Sequence, residues 1–399
     1  MVILFLHNKP ISPNKGGIER VSFVLAKEFK AKGHKIIFLS IMPNELPVSD
    51  IGHDFHHLNI NSNKEDFIGI FQNILKEHSP NIIINQWMNN DLLKALKSLR
   101  DSFSSTQQPK IFTVLHNRPF HLNDLGRKFK ALTYPNSIKG KLIKLIGMTF
   151  PKFYIRQRNR EFKRNFANFI SVSDKFVLLS DLFIPRFLEN MPEVNKNKII
   201  AINNPNTFNI SETPEKILKE KLIIFVGRLE DPQKNVKGFI DVWNEFYKLH
   251  PDWSANIIGD GPHREIFEKY AVRTKSKNLE FKGNTKDVGS FYRRASFMVL
   301  PSLYEGWPMV LAEAMSNECI PVVYDTYEAT HDIITNKETG IIVKPFDAKL
   351  MAKCMDQLLK HSITMNQIAK KARQSIKNYN SNAIADKWLE IFEREKTID

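Results

Sequence analysis

The chain has 399 residues, 42% hydrophobic and 25% charged, a globular composition with room for two domains. No run of about 18 consecutive apolar residues occurs, which argues against a spanning helix. Two cysteines, Cys319 and Cys354, exclude a disulfide framework, and no CxxC or Cys/His zinc spacing accompanies them, so a reducing compartment is the simplest home. The net charge of +15 is one-sided: residues 1–205 hold 30 Lys or Arg against 16 acids, whereas residues 206–399 hold 28 against 27.

In chain order, "MVILFLHNKP" lacks a basic leader and its apolar run is only strand-length, so it reads as a first buried strand. "KIIFLS", "NIIINQ", "KIFTVLH" and "FISVS" follow as strands in the first half, with helical stretches between them. The second half repeats the scheme with "KLIIFVGR", "ANIIGD", "LEFKG", "FMVLPS" and "IPVVYD". Runs that are apolar throughout predict parallel strands covered on both faces, hence an α/β fold of two doubly wound, Rossmann-like domains. The boundary falls in "NNPNTFNISETPEK", residues 203–216, rich in Asn, Pro, Ser and Thr. The domains are thus expected at 1–205 and 206–380, with an amphipathic helix in 381–399. Within the first, residues 126–166 hold twelve Lys or Arg against the single acid Glu161, a local field that attracts anions.

Ligands of open α/β sheets sit beyond the carboxyl ends of the strands, so the informative residues are those just after strands, and with two sheets the cleft between them is the expected site. Gly16 and Gly17, in the loop after strand one, suit close backbone approach by a ligand. Arg228 and Lys234 follow "LIIFVG", and Glu305 follows "FMVLPS". In "YEGWPMVLAEAM" Pro308 is a good first helical residue, which puts Glu305 in the preceding turn and Glu313 inside the helix. The N–H groups of Met309 and Val310 are then free for an anion. Carboxylate, anion hole and carboxylate, spread over roughly 10 Å, match a nucleotide sugar: sugar hydroxyls, pyrophosphate, ribose hydroxyls. Arg228 and Lys234 would neutralise the diphosphate. As a solvated helix-edge acid, Glu313 would be unremarkable. Flanked by Leu311, Ala312, Ala314 and Met315, it must instead be buried, at a cost of several kcal/mol unless something satisfies it.

"FVGRL" with Lys234, "IIGDGPHRE", "YEGWPMVLAEAMSNECIPVVYD" and "ETGIIVKPFD", joined by "GGIERV" and "AINNPN" in the first half, resemble the retaining glycosyltransferases of family 4. The resemblance covers the second half almost end to end and implies the GT-B architecture: two facing Rossmann-like domains with an interdomain cleft and a C-terminal helix crossing back to the first domain. It further implies that Arg228 and Lys234 bind the donor diphosphate, Glu305 the transferred sugar and Glu313 the nucleotide ribose, with His116 beside the transferred sugar. Many members have glycine where this chain has Pro308, so here Met309 and Val310 must serve any phosphate.

No Asp-x-Asp occurs in the chain, so the expectation is a metal-independent transfer with no cofactor beyond a UDP-sugar or GDP-sugar co-substrate, UDP-sugars ahead of GDP-mannose. The acceptor is expected to be a lipid-linked or surface glycan of the lipopolysaccharide or capsule kind. The Lys-rich, apolar mixture "SIKGKLIKLIGMTFPKFYIR" suits an anionic membrane surface, which implies a cytoplasmic enzyme peripheral to the inner face of the cell membrane. A sugar phosphorylase of the same architecture is the alternative. Nucleic acid is not an expected partner, because no RRM, KH or zinc signature accompanies the charge. A dinucleotide-dependent oxidoreductase fails because Arg264 stands where GxGxxG needs its third glycine.

Overall fold

The structure is a computed structural model and describes residues 1–8, 11, 16–40, 56–59, 67–102, 108–122, 149–208 and 219–396. Most of the 126–166 segment, up to residue 148, and residues 209–216 of the expected linker lie outside them. The chain forms two compact units. One comprises residues 1–120, 159–207 and 379–399, and the other comprises 121–158 and 208–378. The divisions thus fall at 207/208 and 378/379, where the sequence suggested 205/206 and 380/381. The unexpected feature is that, of the described residues, 121–122 and 149–158 group with the second unit.

The first unit holds a sheet of seven parallel strands in the order β3-β2-β1-β4-β5-β6-β7. These are β1 (Val2–His7), β2 (Lys35–Ser40), β3 (His56–Asn59), β4 (Ile82–Asn85), β5 (Lys110–Val114), β6 (Lys175–Leu178) and β7 (Ile199–Ala201). The second unit holds six parallel strands in the order β10-β9-β8-β11-β12-β13. They are β8 (Glu220–Val226), β9 (Ser254–Ile258), β10 (Leu279–Gly283), β11 (Ala295–Leu300), β12 (Ile320–Tyr324) and β13 (Ile341–Val343). Strands β4, β11 and β12 are buried along their whole length, as continuous apolar runs require when helices cover both faces.

The strand assignments depart from the sequence reading at four places. "FISVS" is no strand: it ends the helix Pro151–Val172, and the strand is the following "KFVL". Its buried residues Phe166, Phe169 and Ile170 repeat at helical spacing, which overrides the β-propensity of the isolated pentapeptide. Short strands β3, β7 and β13, of three or four residues, carry too little pattern to stand out. The C-terminal helix, Ser381–Lys396, packs within the first unit, where Phe392 meets Phe112 at a ring distance of 4.9 Å and Phe29 at 6.0 Å.

The loop leaving β8 is set by backbone rather than by side-chain packing. Gly227 N–H donates to the Ile258 carbonyl at 3.0 Å, and Leu229 N–H to that of Asp260 at 2.9 Å. A Cβ on Gly259, whose φ is +130°, would lie 2.0 Å from the Gly227 carbonyl oxygen, so the "GDG" glycines serve the approach of two loops. Farther along, Asp231 turns back to accept the Val236 N–H at 3.3 Å, capping the helix Val236–Tyr247, while Asn235 adopts the left-handed conformation and its amide donates to the Pro301 carbonyl at 3.0 Å. Asp231 N–H in turn donates to His263 Nδ1 at 3.0 Å.

Burial pushes the Asp231 carboxyl up to about 6, against the pull of the Val236 and Asn235 N–H groups. The folded state therefore holds this proton more tightly than the unfolded chain. The stabilisation from Asp231 is complete below its ordinary value of 3.8 and is lost as pH rises through 6. Asp231→Asn keeps an oxygen for the Val236 cap and removes the titration. Melting curves between about pH 4 and 7.5 should show the variant gaining on wild type with rising pH, by on the order of 2 kcal/mol at the upper end. A difference that does not change with pH would contradict this.

Candidate active site

In the second unit the strand order reverses between β8 and β11, neighbours in the sheet, and the carboxyl ends of such a pair form the switch point where doubly wound sheets bind ligands. Two loops leave there: Gly227–Asn235 from β8, and Pro301–Pro308 from β11. They are tied to each other. Leu303 N–H donates to the Gln233 carbonyl at 2.8 Å. Lys234 Nζ donates to Glu305 Oε1 at 2.7 Å, and Gln233 Nε2 to Glu305 Oε2 at 3.1 Å, so both carboxylate oxygens are held. Glu305 is only 5% exposed, which makes the lysine a charge partner that solvent screens little. The hydroxyls of Tyr304 and Tyr327 are shifted upward, first by burial and then by the Glu305 charge, so both stay protonated. His121 stacks on Tyr304 with ring centroids 4.1 Å apart.

The helix that follows runs Met309–Ser316, one residue later than the sequence suggested: Pro308 is the cap, with extended backbone, rather than the first helical residue. Its carbonyl accepts the first bond, from Leu311 N–H at 3.0 Å, which leaves the N–H groups of Met309 and Val310 ahead of the ladder. Glu313 is 1% exposed, and the fully buried Tyr292 hydroxyl donates to its Oε2 at 2.9 Å. That bond gives one oxygen of the buried carboxylate a donor in an otherwise apolar stretch.

The cations expected at a diphosphate are placed differently from each other. Lys234 is committed to Glu305, with two of its three donors left over. Arg228 stands out from the surface with 68% of its side chain exposed and pairs with Glu230 at 2.9 Å. Such an exposed pair is weak and exchanges readily for a stronger anion.

In the first unit, the switch point lies between β1 and β4. Gly16 caps the helix Gly17–Ala31, and Glu19 folds back over it, so an anion at Gly16 would meet a like charge. His116 follows β5 and its Nε2 lies 2.5 Å from Gln86 Oε1, just past β4. The imidazole is closely enclosed although part of its surface is open, and burial holds its pKa down to about 3, so it is neutral at ordinary pH.

Gln233, Tyr292 and Gln86 were not singled out from the sequence. Gln233 and Gln86 each carried a signal, a polar residue in the loop beyond an apolar strand. Tyr292 sits within "SFYRR" and gave none. Among the described residues no group of three His, Cys, Asp or Glu side chains is placed to hold a metal ion.

Residues 206–375 match the family described as Glycosyl transferases group 1. An uncharacterized glycosyltransferase of Haemophilus influenzae is 25% identical over 383 residues, covering 94% of this chain and 96% of that protein. The GalNAc-alpha-(1->4)-GalNAc-alpha-(1->3)-diNAcBac-PP-undecaprenol alpha-1,4-N-acetyl-D-galactosaminyltransferase of Campylobacter jejuni is 28% identical over 179 residues, 45% of this chain and 49% of that one. The chain therefore spans about half the length of this second relative. In fold it superposes on S. aureus TarM, solved with fondaparinux, alpha-GlcNAc-glycerol and UDP, with a TM-score of 0.74 and 14% identity, over 98% of this chain and 100% of that one. With the group 1 glycosyltransferase match running through β8 to β13 and the loops that hold Glu305, the chain is a glycosyltransferase of the GT-B fold.

Proposed function

We propose that the chain is a retaining hexosyltransferase of family 4 that moves a sugar from a UDP-sugar, or failing that a GDP-sugar, to a lipid-linked or surface glycan without a metal ion. The observation that carries this reading is the carboxylate of Glu305, buried at the β8/β11 switch point and held by Lys234 and Gln233. A carboxylate fixed in this way accepts hydrogen bonds from vicinal sugar hydroxyls without having to be ordered at the moment of reaction. Glu305 and Glu313 enclose seven residues and the start of a helix, and the N–H groups of Met309 and Val310 are the fixed dipoles nearest a phosphate bound there. Arg228 and the spare donors of Lys234 would meet the remaining diphosphate charge. Glu313, at the ribose, would have to share its Tyr292 bond. UDP in the fold neighbour and an undecaprenol-linked acceptor in the Campylobacter relative support the donor and acceptor classes.

In the proposed step, the acceptor hydroxyl attacks the anomeric carbon on the face the nucleotide leaves. The bond from that carbon to the phosphate oxygen breaks as the new glycosidic bond forms, and a diphosphate oxygen takes the hydroxyl proton. His116, neutral at working pH, serves as a hydrogen-bonding contact to the transferred sugar rather than as a proton donor. Metal independence follows from the missing Asp-x-Asp and from the cations and helix N-terminus that take over its task. Glu305→Ala should lose at least about a thousandfold in transfer while keeping wild-type circular dichroism, and wild-type transfer should persist in excess EDTA. Near-normal turnover in the variant would refute the role of Glu305, and restoration only by added Mg²⁺ or Mn²⁺ would refute the metal-free mechanism.

We further place the enzyme in the cytoplasm, at an anionic membrane surface. No described helix is long and apolar enough to cross a membrane. The helix Pro151–Val172, however, exposes Lys152, Phe153, Arg156, Arg160, Lys163 and Arg164, a basic stripe at helical spacing, beside Phe150, which is 63% exposed. Each basic residue near an anionic leaflet contributes about 1 kcal/mol. The protein should float with vesicles containing phosphatidylglycerol and not with pure phosphatidylcholine, and Phe153→Asp with Arg156→Glu should abolish flotation. Failure to bind anionic vesicles even at low salt would overturn the membrane assignment.

A further inference from the structure

His116 and Gln86 lie beyond the carboxyl ends of β5 and β4, two strands paired in parallel with Asn85 opposite Thr113. Both backbones are anchored close to the side chains in question. Gln86 N–H donates to the Leu6 carbonyl of β1 at 3.0 Å, and Leu115 N–H, next to His116, donates to the Val177 carbonyl of β6 at 2.9 Å. Gln86 is buried, and so is the polar chain beside it. Asn85 donates to the Thr113 hydroxyl at 3.2 Å, that hydroxyl lies 2.7 Å from the hydroxyl of Ser173, and Ser173 donates to the Phe169 carbonyl at 2.7 Å. This network fixes the relative position of the two strand ends, so the 2.5 Å contact between Gln86 Oε1 and His116 Nε2 joins two well-held groups.

A neutral imidazole has one donor and one acceptor nitrogen, and its two tautomers are close in energy unless a partner selects one. The amide oxygen of Gln86 can only accept. Nε2 must then carry the proton, and Nδ1 keeps its lone pair. We propose that Gln86 is a positioning residue: it holds neutral His116 in the Nε2–H form and in one ring orientation, which presents Nδ1 as an acceptor for a hydroxyl of the substrate. This inference rests on the reading of His116 as a sugar contact, and it makes the residue selective for a hydroxyl at that place. An anion or a bare carbonyl finds no donor on Nδ1.

The test uses full-length protein labelled with ¹⁵N-histidine, with His116→Ala to assign the resonance among the twelve histidines. Wild type should show His116 in the Nε2–H form alone and no titration between about pH 5.5 and 8. Gln86→Ala should give a tautomer mixture. On whichever of UDP-glucose, UDP-galactose, UDP-N-acetylglucosamine and GDP-mannose the wild type turns over, its kcat should fall by about tenfold to a hundredfold with little change in donor KM, as expected for a misplaced contact in a folded site. Gln86→Glu restores an acceptor and hence the single tautomer. Its charge also raises the imidazole pKa, adding an acid limb to the pH profile that Gln86→Ala lacks. The proposal is overturned if Gln86→Ala keeps the single tautomer, or keeps wild-type kcat while His116→Ala does not. Full activity in His116→Ala would instead remove the sugar-contact reading on which the inference rests, whatever the tautomer measurement shows.

Discussion

The ion pair between Lys234 and Glu305 is the contact on which the rest of the site depends. It joins the loop after β8 to the loop after β11 across the reversal in strand order, and both partners are largely withdrawn from solvent. Withdrawal makes the pair obligatory: truncating either side chain leaves a charge in a poorly solvated place, at a cost of roughly 3–5 kcal/mol, well above that of an exposed pair. The second bond, from Gln233, occupies the other oxygen and fixes the plane of the carboxylate. A carboxylate whose orientation is set before substrate arrives is what a hydroxyl-binding group in a transferase requires.

Around that pair the chain uses backbone where precision is needed and burial where a protonation state must be kept. Gly259 and Gly261 let the β9 loop bond directly to Gly227 and Leu229, so the position of Arg228 is set by main chain on both sides while its side chain lies at the surface against Glu230. Asp231, Tyr304, Tyr327 and His116 are all moved by burial toward their neutral forms. In the second unit, neutral groups near one paired carboxylate, Tyr304 and Tyr327, favour recognition of hydroxyls, and Arg228 is left at the edge for phosphate.

Much of this was legible in the sequence, because apolar strands fully covered on both faces announce themselves, and because residues following them have few reasons to be charged. Arg228, Lys234 and Glu305 were singled out that way and Glu313 from its place inside an apolar helix, and the burial of Glu313 was expected from its neighbours. Its partner was not, since Tyr292 comes from a helix 21 residues away and only tertiary packing brings the two together. "FISVS" misled for a related reason: a pentapeptide with β-forming residues says little when the helix that runs into it from Pro151 sets a helical phase. The cap at Pro308 differed by one position, within the ordinary indeterminacy of helix ends. Lys234 was assigned to phosphate alone, and its bond to Glu305 could be seen only once the two loops were placed side by side.

The account stands or falls on whether these two loops close on a nucleoside diphosphate. Hydrogen exchange of the full chain, followed by mass spectrometry with and without UDP and in parallel GDP, addresses this without knowledge of sugar or acceptor. One of the two nucleotides should slow exchange in residues 227–235 and 303–312 together, because a ligand between tied loops damps the opening of both. Binding of either nucleotide that leaves both segments unchanged, with protection elsewhere, would contradict the central claim.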